Sequence, residues 1–503
     1  MSAKVNSIGL KGLDGYLVQV EVQVMEGVES VIIVGLPDAS VKESRERVSA
    51  ALHNMGYPLV DKKVVVNLSP TEQKKNGPLF DTAIALGALK SGKFVSERLP
   101  TDAAFIGALS LDGSILPVAG MLPAVLAAKR LGMKKLYLPF DPNLPAIEID
   151  DLELIYVETV DEILQHLAGR PVLSVNRIEK VSESTEMNYE RDFRQIIGHP
   201  FAKRALEIAA AGGHHLMMDG PPGCGKSLLA ETFPSILPPL SKEAQLEKVS
   251  LYQLAGAPLE SIYLPPFRSP HHSASAVSII GGGSNPKPGE VSLAHRGVLF
   301  LDELAEFAKK TLDMLRQPLE NGKVTINRAH STVSYPSKFI FIAAMNPCPC
   351  GYKGSNSQYC SCSENQVKAY QNRISGPIRD RIDILLSLKP VNLRETNFNE
   401  IESSEMVRNR VSAARDKQYQ RYGKTITNGE VVFDQLVKTS PISSRQQQIL
   451  QEICMEHGLS NRVHIKVIRL ARTISDLDEE KVISDLALLE ALKLRKVNIK
   501  ELG

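Results

Sequence analysis

At 503 residues the chain exceeds what one ordinary hydrophobic core serves, so two or three domains are expected. Its 43% hydrophobic and 23% charged residues are the balance of a soluble globular protein and exclude a disordered one. A net charge of +2 neither demands nor excludes a polyanionic partner, because an oligomer can gather a few basic loops on one surface.

The start, Met1-Ser2-Ala3-Lys4-Val5-Asn6, lacks the apolar centre of a signal peptide, and no apolar run reaches the roughly 18 residues of a bilayer span. Six cysteines, four of them crowded together, do not read as a secreted disulfide framework. A cytoplasmic enzyme without a membrane partner is therefore expected. The patterning divides into an α/β block over 1–172, a polar linker over 173–190, a second α/β block over 191–392 and a mostly helical block over 393–503.

In the first block Val31-Ile32-Ile33-Val34 reads as a strand, followed by the turn Gly35-Leu36-Pro37-Asp38. Ser40 with Glu43 three positions on predicts a capping box opening a helix, with Val41, Val48, Ala51, Leu52 and Met55 on its apolar face and Gly56 ending it. Lys63-Val64-Val65-Val66-Asn67-Leu68 is the next strand. In the last block Leu477, Val482, Ile483, Leu486, Leu488, Leu489, Ala491 and Leu492 are expected to line apolar helix faces.

The second block carries the chemistry. His215-Leu216-Met217-Met218-Asp219 is a short strand running into Gly220-Pro221-Pro222-Gly223-Cys224-Gly225-Lys226-Ser227, a phosphate-binding loop, and a helix follows. Such a loop needs glycines so that successive backbone N–H groups face phosphate oxygens. Lys226 supplies a cation for the β- and γ-phosphates of ATP, and Ser227 a hydroxyl for Mg²⁺. Gly297-Val298-Leu299-Phe300-Leu301-Asp302-Glu303 is an apolar strand ending in two carboxylates, at the strand end where ligands bind in parallel sheets. Asp302 is expected to hold Mg²⁺, and Glu303 to polarise the attacking water. A third strand, Phe339 to Met345, delivers Asn346, whose amide can order that water.

These elements in this order resemble the AAA+ ATPases. The resemblance implies a ring in which one subunit lends an arginine to its neighbour's nucleotide. By similarity to ring helicases and Mg-chelatase subunits, Arg381 in Gly376-Pro377-Ile378-Arg379-Asp380-Arg381 fills that role, with Arg379 and Arg373 as alternatives. Arg462, followed by Arg469 and Arg472, resembles the second sensor region.

Further segments narrow the resemblance. They are Ala202-Lys203-Arg204-Ala205-Leu206-Glu207 before the loop, Phe267-Arg268-Ser269-Pro270-His271-His272 and Pro286-Lys287-Pro288-Gly289-Glu290 after it, and Leu315-Arg316-Gln317-Pro318 and Asn346-Pro347-Cys348-Pro349-Cys350-Gly351 beyond. Together with Gly35-Leu36-Pro37-Asp38 and Asn67-Leu68-Ser69-Pro70, they identify the chain as resembling the YifB/ComM family, over nearly its whole length. What this implies is a Lon-protease-like (S5 domain 2-like) α+β amino-terminal domain, an AAA+ P-loop parallel-sheet core and a helical carboxy-terminal lid. It also implies a homo-hexameric motor on single-stranded or branched DNA, with branch migration during natural transformation as its work. A Mg-chelatase-like metal-insertion motor, whose relatives are not expected to carry the Lon-like block, and an ATP-switched protein-remodelling chaperone are the rival readings.

The residues themselves say less about DNA. Lys203 and Lys226 neighbour the nucleotide region. Asn321-Gly322 through Arg328 reads as a hairpin with basic residues near its tip, and Gly281-Gly282-Gly283 to Gly289, with Lys287, as a mobile loop. Either can grip phosphates, and a solvated turn is the plainer reading. Lys75 to Asp81 and Ile115 to Leu122 resemble Lon segments, but Leu79 and Leu122 stand where a serine nucleophile and its lysine base are needed, so no peptidase is expected. Cys348-Pro349-Cys350 and Cys360-Ser361-Cys362 can close a structural zinc site, although C-x-C is tighter than the usual C-x₂-C; free thiols are the other reading. Cys224 in the P-loop is a place where thiol modification would block nucleotide, Cys454 is expected in the core, and the His271-His272 pair is read as a phosphate-sensing or structural loop rather than a metal site.

Overall fold

A computed structural model describes residues 2–141, 151–170, 189–283, 285–328, 331–354, 358–391, 402–423 and 425–496. The expected linker over 173–190 lies almost wholly outside them, as does the boundary expected at 392–393.

The amino-terminal part is built on the strands Ala3–Lys11, Asp14–Glu26, Lys62–Ser69 and Ser30–Val34, in that spatial order. The pair Ser30–Val34 with Lys62–Ser69 is parallel and the others antiparallel. Strand alternation sends Val18, Val20, Val22, Val64, Val66 and Leu68 inward, where they share one core with the helices Ala39–Asn54, Asp81–Ser91 and Met121–Arg130. A three-stranded parallel sheet, Ala103–Phe105, Lys135–Leu138 and Glu153–Tyr156, adjoins them. The helix expected from Ser40 is capped instead by Asp38, whose carboxylate accepts the Val41 N–H at 2.8 Å. Aspartate caps as well as serine, so Ser40 falls inside the first turn.

The central sheet is all-parallel, in the order Phe267–Arg268, Val298–Leu301, Ile340–Met345, Leu216–Asp219, Ile384–Ser387. Both faces are covered. Leu216, Met218, Phe300, Ile342 and Ala344 share a core with the helices Pro200–Gly212, Ser404–Tyr422 and Asn461–Leu477, so the helical lid is joined to the sheet by continuous apolar packing. Met217, Leu299, Leu301, Phe341 and Ala343 face the opposite layer. Two expected core residues point to water. Val482 precedes the final helix, and Leu486 lies on the outer side of Asp485–Leu494, which buries Ala487, Leu488, Ala491 and Leu492 instead.

The amino-terminal part docks on the central one. Helix Met121–Arg130 packs along helix Lys242–Ala255, and the Leu122 N–H donates to Gln253 Oε1 at 3.1 Å. Leu79 and Leu122 are both buried. Leu122, the residue expected by resemblance at the place of a Lon-type lysine, thus lies where the amino-terminal part meets the central one.

Candidate functional site

The P-loop joins the end of strand Leu216–Asp219 to helix Lys226–Thr232, which begins at the loop lysine itself. Gly220 is required by close approach, because a Cβ there would meet Cys224 Sγ and the Leu388 carbonyl at 2.8 Å. Gly225, at φ 84, turns the chain into the helix through the left-handed region. Lys226 is buried, and its Nζ donates to the carbonyls of Gly220 (2.6 Å) and Pro221 (3.0 Å) and to Asn346 Oδ1 (3.2 Å). Ser227 Oγ donates to Asp302 Oδ2 at 2.9 Å, and the other Asp302 oxygen accepts the Glu303 N–H at 2.8 Å. Lys226, Ser227, Asp302, Glu303 and Asn346 thus meet at the carboxyl ends of three adjacent strands. A hydroxyl and a carboxylate in contact fit the oxygen ligands Mg²⁺ takes.

Glu303 has an unusual setting. Its backbone is left-handed (φ 50), and its Oε2 lies 3.2 Å from His272 Nδ1. Sequence reasoning missed this pairing, because 31 positions of chain separate the two and no local pattern links them.

The arginines lie elsewhere. A cleft of about 1040 Å³ is bordered by Gly297, Ile340, His215 and Asp383, which stand at the amino ends of the central strands, and both Arg381 and Arg462 line it. A four-residue strand spans roughly 13 Å. Within one chain, therefore, neither arginine shares an end of the sheet with Lys226. Arg381 Nη2 is 2.5 Å from Glu320 and its Nη1 donates to the Pro377 carbonyl at 2.7 Å; Arg462 is exposed. The alternatives are tied down locally: Arg379 to the Gln371 carbonyl, Arg373 to the Ala305 carbonyl and Glu306, Arg469 to the Val431 carbonyl. Arg472 is fully buried and spent on the Glu480 and Lys481 carbonyls and Asp476.

Asp383 and Lys466 lock lid to sheet at this cleft, 2.6 Å apart. Burial works to raise the Asp383 pKa, but the Lys466 ammonium and the neighbouring histidines hold it well below the usual carboxylate range. Burial pushes His215 down to about 4, and its Nδ1 accepts the Phe341 N–H at 3.1 Å, a bond that only the neutral ring allows.

The four cysteines of the Cys348–Cys362 loop converge, with all four sulfurs within 4.8 Å of one another. Cys348, Cys350 and Cys360 sulfurs are 3.4 to 3.7 Å apart. Four thiolates at 2.3 Å from a tetrahedral zinc stand about 3.8 Å from each other, so the set fits the ion. The loop lies on the P-loop: a Cβ on Gly351 would come within 3.0 Å of Pro222. Cys454, expected in the core, is only half-buried, and Cys224 is buried, which raises its pKa and keeps it a protonated, poorly reactive thiol.

The candidate grips also differ from expectation. Asn321-Gly322 ends a helix, Arg316–Asn321, with Gly322 left-handed at its C-cap; Lys323–Arg328 then pairs with Ser331–Pro336, and residues 329–330 between them lie outside the described residues. A glycine after a helix terminates it as readily as it turns a hairpin. The Gly281–Gly289 segment is a short antiparallel pair, Gly281–Gly282 with Lys287–Pro288.

Three family models match. One described as magnesium chelatase, subunit ChlI, covers residues 192–396, one described as subunit ChlI of Mg-chelatase covers 20–142, and one described as magnesium chelatase, subunit ChlI C-terminal, covers 401–495. The chain is 35% identical over 494 residues to the protein YifB of Escherichia coli (strain K12), covering 97% of this chain and 96% of that one. It is 36% identical over 493 residues to competence protein ComM of Haemophilus influenzae, covering 96% and 95%. The chain belongs to the YifB/ComM family. Membership makes it a Mg-chelatase-like AAA+ ATPase with a Lon-like amino-terminal region, and implies ATP hydrolysis. A fainter likeness, 29% over 188 residues and 33% of each chain, runs to Lon protease 2 of Bacillus subtilis (strain 168). Among the described residues no helix is long and apolar enough to cross a membrane.

Proposed function

We propose that this YifB/ComM family chain is a ring-forming, DNA-dependent ATPase that drives branch migration or unwinding during recombination or natural transformation. The observation that carries the ring is the division of the site. Lys226, Ser227, Asp302, Glu303 and Asn346 occupy one end of the sheet, while Arg381 and Arg462 line a cleft at the other. Head-to-tail packing brings one chain's arginines to the next chain's nucleotide, and the family resemblance gives six copies. The DNA substrate rests on similarity to competence protein ComM across almost the whole chain.

In this reading the P-loop amides and Lys226 bind the ATP phosphates. Ser227 and Asp302 would hold Mg²⁺, which neutralises phosphate charge when bound. Glu303 draws the proton of the attacking water and Asn346 orients it. Arg381 of the neighbour stabilises the transferring phosphoryl group, and Arg462 lies beside it. An isolated chain hydrolyses ATP poorly. In this reading the chain divides into a Lon-like domain over 1–172, the ATPase core over 191–392 and the helical lid over 393–503.

The test is ATPase rate with and without single-stranded and forked DNA, together with displacement of a labelled fork. Stimulation and displacement are expected; absence of both removes the DNA reading. A metal-insertion motor is the second reading, favoured by the chelatase names of all three family models. The amino-terminal block does not separate the two, contrary to expectation, because its own family model carries the chelatase name. Stimulation by a porphyrin-chelatase subunit would decide for that reading.

A further inference from the structure

The amino-terminal domain has no part in the chemistry above, yet it touches the core at two places. One is the helix Met121–Arg130, which lies along Lys242–Ala255. Gly120, just before that helix, is closed in between Leu10 and Leu254, whose methyls a Cβ there would meet at 2.5 and 3.2 Å. The other is the turn between the first two strands, where Lys11 pairs with Asp14 and only Gly12 and Leu13 lie between them. Gly12 has the left-handed backbone (φ 65) that a two-residue hairpin turn asks of its first central residue. It also lies against the core, because a Cβ on it would come within 2.6 Å of Val333 Cγ1. Leu13 packs on the apolar cluster that holds Val333 and Tyr335. Arg130, at the end of the docking helix, donates to the Leu13 carbonyl at 3.5 Å and faces Asp14 at 3.6 Å. Turn and helix therefore meet the core as one piece.

Val333 and Tyr335 belong to the hairpin of Lys323–Arg328 with Ser331–Pro336, which joins no other strand among the described residues. A lone two-stranded hairpin is marginal in water and needs one face covered. Alternation supplies that face: Val324, Ile326, Val333 and Tyr335 are buried, whereas Lys323 and Asn327 are exposed. The cover comes from two sides. Gly281 lies over Ile326, whose Cδ1 is 3.2 Å from where a glycine Cβ would stand, and Tyr335 Oη donates to the Pro286 carbonyl at 2.7 Å. Gly12 and Leu13 close the Val333 side. The outward face is left polar and basic, the chemistry that a phosphate backbone takes.

We propose that the amino-terminal domain works as a brace: its Gly12-Leu13 turn holds the hairpin of Lys323–Arg328 and Ser331–Pro336 in the pose that presents Lys323 to a nucleic-acid phosphate backbone. The brace stands on the contacts alone; what the hairpin is presented to rests on the DNA-dependent reading. Loosening the turn weakens the grip on DNA and leaves the nucleotide site as it was.

The experiment compares full-length wild type, Leu13→Ala and Leu13→Met by backbone hydrogen exchange without DNA, by Kd for single-stranded DNA and by DNA-free ATPase rate. In Leu13→Ala, exchange in Lys323–Arg328 and Ser331–Pro336 should rise about 10-fold, with Leu216–Asp219 and Lys62–Ser69 unchanged. The DNA Kd should rise about 3- to 10-fold, as the braced fraction of chains falls, while the DNA-free ATPase rate stays the same. Leu13→Met, which keeps the apolar contact, should behave as wild type. A residue that only stabilises the fold would raise exchange in all these strands together, and that result overturns the proposal. So does unchanged exchange in the hairpin of Leu13→Ala. Should that variant fail to fold, Gly12→Ala pushes a methyl against Val333 without removing packing and is read in the same way. If wild type does not bind DNA, the DNA-dependent reading falls, and hydrogen exchange in the hairpin still decides on the brace.

Discussion

Lys226 Nζ donates to Asn346 Oδ1 at 3.2 Å, tying the phosphate-binding lysine to the end of the neighbouring strand. With the Gly220 and Pro221 carbonyls, Asn346 holds the ammonium over the mouth of the loop, where arriving phosphates compete for it. Removing the cation should weaken nucleotide binding by about 10- to 100-fold, the worth of a charge-assisted contact. Lys226→Ala is checked with a fluorescent ATP analogue. In Glu303→Gln binding should persist while turnover falls by about 10² or more. Unchanged turnover in that variant refutes the role given to Glu303.

The placement of Arg381 predicts complementation between defective copies. Arg381→Ala should bind nucleotide normally and lose about 10³-fold or more in hydrolysis, as arginine-finger losses do. Mixed with Lys226→Ala chains, which bind ATP poorly but still carry Arg381, it should regain activity at the interfaces where one copy completes the other. Two inactive preparations that stay inactive at every mixing ratio would show that Arg381 acts elsewhere.

Zinc content tests the cysteine cluster. The purified protein should carry about one zinc per chain, lost in Cys360→Ser. Because Gly351 packs against Pro222, stripping the metal with a chelator should also raise the nucleotide Kd. A metal-free protein with full nucleotide affinity would assign the cysteines to free thiols.

The Asp383–Lys466 pair and His215 separate by pH. A carboxylate whose folded pKa is depressed stabilises the fold above its unfolded value of 3.8 and loses that contribution only as pH falls through the lower folded value. His215 acts earlier. Its folded value of about 4 lies below the ordinary 6.5, so from pH 6.5 downward the unfolded chain takes up a proton that the fold refuses. Chemical denaturation should show stability declining between pH 6.5 and 4, and His215→Gln should flatten that decline. At neutral pH Lys466→Met should cost about 3–5 kcal/mol by stranding a buried carboxylate, with much of this recovered on adding Asp383→Asn.

What the sequence made legible is what is written contiguously. The P-loop glycines, Lys226 and Ser227 occupy eight consecutive positions, and Asp302 and Glu303 end an unbroken apolar strand, so motif and context coincide. Asn346 followed from the same rule applied to the next strand. Local rules failed where two residues compete for one role: Asp38 outbid Ser40 as cap, and Gly322 closed a helix where a hairpin was expected. Contacts between distant segments left no trace in the pattern. Nothing around Arg381 reveals that it stands at the opposite end of the sheet from Lys226, and nothing around His271-His272 reveals Glu303.

The two-ended sheet has a genetic consequence. In an assembly built on the proposed head-to-tail arrangement, no copy completes its own site, because its Arg381 stands at the far end of its own sheet. Each copy instead serves its own site with Lys226 and a neighbour's with Arg381. A subunit altered at both positions silences two sites at once, so such an allele, expressed beside the intact gene, should behave as a dominant inhibitor rather than as a simple loss.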